Sequence, residues 1–236
     1  MSEFKYEYVK QYLDLSYYTN IYTNTRIKLH NDIIDKYFIN IDNLINQKKQ
    51  KFIFTSGAYG SGKSFFVEQL NKFGKINLKK YIYVDPDEIR KELPEYNQII
   101  NNEPLNLGIL TNQESFFIGE IIRLHAMFLG MDVIYDSSLK NFDWIENHIR
   151  WIRNTFVSCE IIIIHIQSDL TNILERNLLR AKETKRCISP NSIRHSYFDS
   201  IKTFDNINNI VDKSIIIPNI LDVDYVNYIK NTDFII

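Results

Sequence analysis

From Lys51 onward the chain alternates short apolar runs with amphipathic stretches. The runs are KFIFTS (51–56), YIYVD (81–85), MDVIYD (131–136), EIIIIHI (160–166) and SIIIP (214–218). Each is continuous and rich in β-branched or aromatic residues, the signature of a strand covered on both faces. Between them lie stretches such as KSFFVEQLNKF (63–73) and NFDWIENHIRWIRNTF (141–156), with apolar residues at helical spacing. Trp144, Ile145, Ile149, Ile152 and Phe156 form one such stripe and read as core. This alternation predicts an α/β fold, a parallel sheet flanked by helices, with ligands at the carboxyl ends of the strands. Residues 1–50 contain neither Gly nor Pro and predict a mostly helical extension packed on a 51–236 domain. In that extension Ile27, Ile33, Ile34, Tyr37, Phe38, Ile41 and Leu44 lie near helical spacing. A partner-binding arm is its alternative use.

The junction between the first run and the first helix carries the chemistry. Gly57-Ala58-Tyr59-Gly60-Ser61-Gly62-Lys63-Ser64 matches G-x-x-x-x-G-K-[ST] at every required position. The chain has only seven glycines, and three stand within these eight residues. Glycines let the backbone wrap so that successive N–H groups point inward at phosphate oxygens, and the following helix start adds partial positive charge. Lys63 then reaches the outer phosphates and Ser64 ligates Mg²⁺. The motif implies a nucleoside triphosphate, read here as ATP, with Mg²⁺.

The destination of the third phosphate depends on the other strand ends. A GTPase would carry N-K-x-D and D-x-x-G, and neither occurs. A motor or transporter ATPase usually ends its acidic strand in a carboxylate pair, whereas here Asp136 is followed by Ser137. A small kinase remains, with another molecule as acceptor. In YIYVDPDEIRKELPEYN (81–97), Asp85 reads as a helix N-cap, Pro86 as the first helical residue and Glu88 as the capping-box partner. Asp87 is spare in that scheme, faces the acceptor side and is the candidate general base. In NILERNLLRAKETKRCISPNSIRHS (172–196), Arg176 and Arg180 share a helix face and Arg186 follows in a loop. Guanidinium donors suit the charge that spreads over a transferring phosphoryl group. Their alternative is a solvated face, with Glu183 as a partner for Arg180.

These residues, in this order and spacing, resemble the zeta-toxin-like P-loop kinases: GAYGSGKS, then VDPDEIRKELPEY, then a helix, then DVIYDSSLKN, then an arginine-bearing lid. The resemblance runs from Phe52 to Val211. It implies that Lys63 neutralises the transferring phosphate and that Asp87 activates an acceptor hydroxyl. It implies that Asp136 stands where the family has an acidic residue, usually Glu, placing Mg²⁺ or the acceptor. The family often reads D/E-G-T-L-R there, so Ser137 and Lys140 depart from it. Arg186 matches the second lid arginine, and the first is Arg180 or Arg176, with Arg180 preferred. The implied acceptor is a small molecule, in the best-known members the aminosugar of UDP-N-acetylglucosamine. A polynucleotide 5′-hydroxyl kinase and a non-catalytic ATP-binding regulator are the alternatives. No residue pattern identifies an inhibitor or antitoxin partner, and Pro218-Asn219 replaces the D-N that relatives often carry beside the adenine, so no base contact is assigned.

Composition narrows the setting. The 28 basic and 29 acidic residues nearly cancel, so there is no global attraction to nucleic acid or anionic membrane. Cys159 and Cys187 lack metal-ligand spacing and predict no disulfide framework. The charged start predicts no signal peptide. No apolar run approaches the roughly 18–20 residues of a membrane span, and the expectation is a soluble, cytoplasmic protein. His30, His125, His148, His165 and His195 form no metal-ligand group. Glu114 and Glu120, on the helix before the Asp136 strand, line the acceptor pocket or face solvent.

Overall fold

The computed structural model describes residues 3–13, 16–39, 49–219 and 224–231. All five apolar runs are strands: β1 (Lys51–Ser56), β2 (Tyr81–Val84), β3 (Asp132–Tyr135), β4 (Glu160–Gln167) and β5 (Lys213–Pro218). They form one sheet in the order β2-β3-β1-β4-β5, and every neighbouring pair is parallel. The helices are α1 (Glu7–Lys10), α2 (Asn24–Lys36), α3 (Lys63–Lys72), α4 (Pro86–Ile89), α5 (Tyr96–Asn102), α6 (Leu107–Phe128), α7 (Phe142–Thr155), α8 (Leu170–Thr184), α9 (Pro190–Ile207) and α10 (Tyr225–Asn231).

The continuous apolar runs resolve into two faces with period two. Phe52, Phe54, Val133, Tyr135, Ile161 and Ile163 pack with α6 and α7 on one side. Ile53, Ile134, Ile162, Ile164 and Ile166 pack with Phe66 and Leu70 of α3 on the other. Burying each such side chain contributes roughly 1.5–3 kcal/mol, so both faces must be covered. Ile145, Ile149 and Ile152 of α7 are fully buried, while Trp144 and Phe156 pack partly buried at the edge. Parallel strands covered in this way turn all five carboxyl ends to one edge, where the polar loops converge.

The described part of residues 1–50 is less helical than its spacing predicts. Among the described residues their helices are α1 and α2 alone, and Ile41 and Leu44 lie outside the described residues. The tyrosine-rich stretch before α2 has poor helix formers, and it gains more by docking its rings. Tyr18 and Tyr22 sit 5.6 and 5.5 Å from the Phe117 ring of α6. Thr23 then caps α2 by accepting from Arg26 N. Tyr6, Val9, Leu13, Ile33 and Ile34 are buried in the same core.

α6 is thereby enclosed between β2 and β3 on one side and α1 and α2 on the other. This corrects the reading of Glu114 and Glu120 as pocket-lining or solvent-facing. Both are buried, Glu114 against Arg26 and His30, and Glu120 against Arg123 at 2.7 Å. Among the described residues no helix is long and apolar enough to cross a membrane.

Candidate active site

The loop from Gly57 to Ser64 leaves β1 and enters α3. Its turns are tight enough that a side chain cannot be accommodated: a Cβ on Gly57 would lie 2.7 Å from Ser61 Oγ and 2.9 Å from the Ile166 carbonyl. Gly60 has φ +85° and faces Asn177 of α8, whose Nδ2 would be 2.2 Å from an added Cβ. That amide is not free to retreat, because it donates to the Tyr59 and Ile173 carbonyls at 3.1 and 2.9 Å. Gly60→Ala therefore combines left-handed strain with the loss of a buried hydrogen bond. It is expected to lower stability by about 1–3 kcal/mol, measured by denaturant unfolding.

Inside the loop the Ser61 side chain is fully buried, and its hydroxyl has no hydrogen-bond partner. Buried polar groups are ordinarily satisfied, so an unpaired hydroxyl inside this loop fits an oxygen-rich anion. Lys63 Nζ folds back to the Gly57 and Ala58 carbonyls at 3.1 and 3.2 Å. It is the loop's own cation, held by two weak neutral acceptors that a phosphate would outbid.

Asp136, at the end of β3, meets this loop from the next strand. It accepts from Ser64 Oγ at 3.0 Å, Tyr83 Oη at 2.9 Å and Thr55 Oγ1 at 2.7 Å. Ser64 and Asp136 fit a hard cation, which takes oxygen ligands. Among the described residues no group of three or more His, Cys, Asp or Glu could hold a metal. A Mg²⁺ at Ser64 and Asp136 would thus draw its remaining ligands from phosphate and water. After Asp136 the backbone makes an unusual turn: Leu139 is buried with φ +48°, and its N–H donates to Ser137 Oγ. Lys140 follows, its ammonium 3.0 Å from Tyr59 Oη and over the same ring.

The β2 end holds two carboxylates in unlike surroundings. Asp85 caps α4 by accepting from Asp87 N at 2.8 Å, with Pro86 at the first helical position. Burial, with the charges of Asp136 and Asp87, pushes Asp85 up to about 7. The expected capping box does not form, because Glu88 pairs instead with Lys91 one turn on. Asp87 is not spare. Its Oδ1 lies 3.0 Å from Arg90 Nη2, and its Oδ2 accepts from Arg186. Burial opposes its ionisation, but Arg186 and Arg90 outweigh this and hold the carboxyl below the usual range.

Arg186 reaches Asp87 from the turn between α8 and α9, a sequence separation of 99. Arg180 is within electrostatic reach of Arg186, Asp87 and Asp85. It makes no ion pair with Glu183 among those described. Arg176 turns elsewhere, donating to Ser168 Oγ and to Asn219 Oδ1 at 3.2 and 3.0 Å. The structure thus brings Arg180 and Arg186 beside Asp87 and leaves Arg176 at the β5 end.

The family model described as zeta toxin matches residues 35–228. The chain belongs to the zeta toxin family. A comparison with curated proteins found no match. Among solved structures, a chain of the PezAT chromosomal toxin–antitoxin system of Streptococcus pneumoniae is 15% identical with a TM-score of 0.61, covering 84% of this chain and 80% of that one. A chain of the AvrRxo1-ORF1:-ORF2 structure with ATP is 14% identical with a TM-score of 0.56, covering 87% of this chain and 64% of that one. These likenesses establish the P-loop kinase-like fold of this zeta toxin family chain.

Three polar residues around the site, Asn219 among them, had no contact assigned from sequence. Asn219 Nδ2 donates to the Ser61 carbonyl at 2.6 Å while its Oδ1 receives Arg176, so it ties β5 and α8 to the phosphate loop. Asn177 braces Tyr59, and Arg90 holds Asp87. Asn219 had one available signal, its position just past the last parallel strand, where such sheets place ligand contacts. Asn177 and Arg90 sit in ordinary helical patterns and had none.

Proposed function

We propose that this protein is an ATP-dependent phosphotransferase that moves the γ-phosphate of Mg·ATP to a hydroxyl of a small molecule. The observation that carries this reading is the meeting of Arg186 with Asp87. A guanidinium on the α8–α9 turn and a carboxylate at the β2 end come together beside the phosphate loop, where a third phosphate and an acceptor hydroxyl would have to meet. Membership of the zeta toxin family supports the same reading.

Mg·ATP supplies the phosphoryl group and a metal that neutralises its charge. In the proposed chemistry, loop N–H groups and Ser61 bind the phosphate oxygens, and Lys63 exchanges its carbonyl contacts for them. Ser64 and Asp136 hold Mg²⁺. Asp87 takes the acceptor's proton as the acceptor oxygen bonds to γ-phosphorus, the bridging bond breaks and ADP departs. Arg180 and Arg186 stabilise charge on the transferring oxygens. Asn219 and Arg176, at the β5 end, are placed to fix the loop on the nucleotide's far side. The acceptor class we propose is a sugar nucleotide such as UDP-N-acetylglucosamine. The PezAT chain comes from a toxin–antitoxin system, which makes an antitoxin-like inhibitor the protein partner to seek.

Transfer from γ-labelled ATP should be run against UDP-N-acetylglucosamine, a metabolite extract and a 5′-hydroxyl oligonucleotide. Label on the sugar nucleotide is the expected result. Label on another metabolite would replace the acceptor but keep the reaction. Label on the oligonucleotide alone would overturn the small-molecule reading.

A further inference from the structure

Asp87 is held by two guanidinium groups of unlike character. Arg90 is 5% exposed, sits on the turn that follows α4, and uses Nη2 for both Asp87 Oδ1 and Asn112 Oδ1 of α6, at 3.0 and 2.8 Å. Its Nε is buried without a hydrogen-bond partner. A buried cation clamped between a helix and its own turn has nowhere else to go. Arg186 comes from a different element, the turn between α8 and α9. Lys185 ends α8 in the left-handed region at φ +60°, and Ser189 starts α9 as its N-cap. This turn reaches across the site through Arg186 to Asp87 and through Lys185 Nζ to Asn101 at 2.8 Å, while Ile188 packs on the cluster around Ala58.

We infer that Arg90 is a positioning residue that aims Asp87, and that Arg186 is a releasable latch on the carboxylate's second oxygen, surrendered when a bound nucleoside triphosphate draws the lid arginine away. This rests on the phosphotransferase reading of the site. The charges facing Asp87 fit a two-position arginine. Arg90 lies on its own turn, Arg186 and Arg180 come from the lid side, and Asp85 stands at the cap with Asp136 behind it. A polyphosphate carries more charge than one carboxylate and accepts guanidinium bidentately. With Arg186 on Oδ2, Asp87 is a weak base with its outward oxygen occupied. With Arg186 withdrawn, that oxygen faces the acceptor side and becomes more basic, while Arg90 and Asn112 keep its direction. Base strength would rise only once the phosphate donor is in place, which disfavours activation of an acceptor without a donor.

Double-mutant cycles on thermal stability test this without any catalysis. Asp87→Asn and Arg186→Gln should be strongly non-additive in the nucleotide-free protein and additive with a saturating non-hydrolysable ATP analogue and Mg²⁺. Asp87→Asn and Arg90→Gln should be non-additive in both conditions. An Asp87–Arg186 coupling that is absent without nucleotide, or unchanged by it, overturns the latch. If the analogue fails to stabilise the wild type, the nucleotide reading itself fails, and the nucleotide-free cycle still reads the latch.

The positioning role is read in transfer. Arg90→Gln should lower kcat roughly tenfold to a hundredfold, leave KM for ATP unchanged, and move the acid limb of the pH profile upward, since losing a cation raises the Asp87 pKa. Arg90→Lys should keep the limb in place, and Asn112→Ala, which spares the charge, should lower kcat alone. Arg90 variants with unchanged kcat and acid limb per folded molecule would assign it a structural role only.

Discussion

Asp87→Asn is expected to bind Mg·ATP at least as tightly as the wild type, because the neutral amide holds Arg186 less firmly, and to transfer phosphate about 10²–10⁴-fold more slowly. The magnitude is that of a lost general base. Asparagine keeps the shape of the side chain and can still accept from one of the two arginines through its single carbonyl oxygen, but it cannot take up the acceptor's proton. Nucleotide contacts are expected to survive because the loop residues Gly57 to Ser64 and Asp136 do not touch Asp87. A pure ATP-binding regulator would be indifferent to the substitution. Calorimetric ATP binding alongside γ-phosphate transfer separates the two.

Glu114→Ala is expected to destabilise the protein by about 3–5 kcal/mol, the range for removing one partner of a buried ion pair. Glu114 Oε2 receives Arg26 Nη2 at 2.7 Å, and Oε1 contacts both Arg26 Nε and His30. The same Arg26 grips Glu95, with Nη1 3.0 Å from Oε2. One guanidinium therefore joins α2, α6 and the segment leading from Asp87 into α5. Burial alone would raise Glu114, but His30 and Arg26 prevail and lower it to about 2. A depressed carboxyl contributes stability above its ordinary value near 4.5 that is lost as pH falls through about 2. That displacement corresponds to ~3 kcal/mol at neutral pH. Urea unfolding across acid and neutral pH should show the wild-type advantage over Glu114→Ala narrowing in acid.

The sheet was legible because its determinants are local. Strands covered on both faces produce short β-branched runs, and the phosphate loop is a contiguous string whose glycines serve its own backbone. Asp85 and Pro86 were equally legible as cap and first helical residue. What escaped depends on distant partners. Arg26 finds Glu114 88 residues away, and Asn219 finds Ser61 158 residues away. No spacing rule connects such pairs. Glu88 misled because a capping box and an i,i+3 ion pair compete for the same glutamate, and Lys91 was available. The tyrosine-rich stretch before α2 misled because its rings dock on α6 rather than continuing a helix. At the site itself, Asp87, Asp136 and Arg186 could be named from sequence, but the meeting of Asp87 with Arg186 and Arg90 could not.

A site proposed to move phosphate between molecules must be seen to do so. The most direct measurement follows the label when wild-type protein is mixed with γ-labelled ATP, Mg²⁺ and a small-molecule metabolite extract. Label is expected to leave ATP and appear as a phosphate ester on one metabolite, with ADP formed in equal amount. Bound ATP whose label stays in place, or is released only as inorganic phosphate, would contradict it.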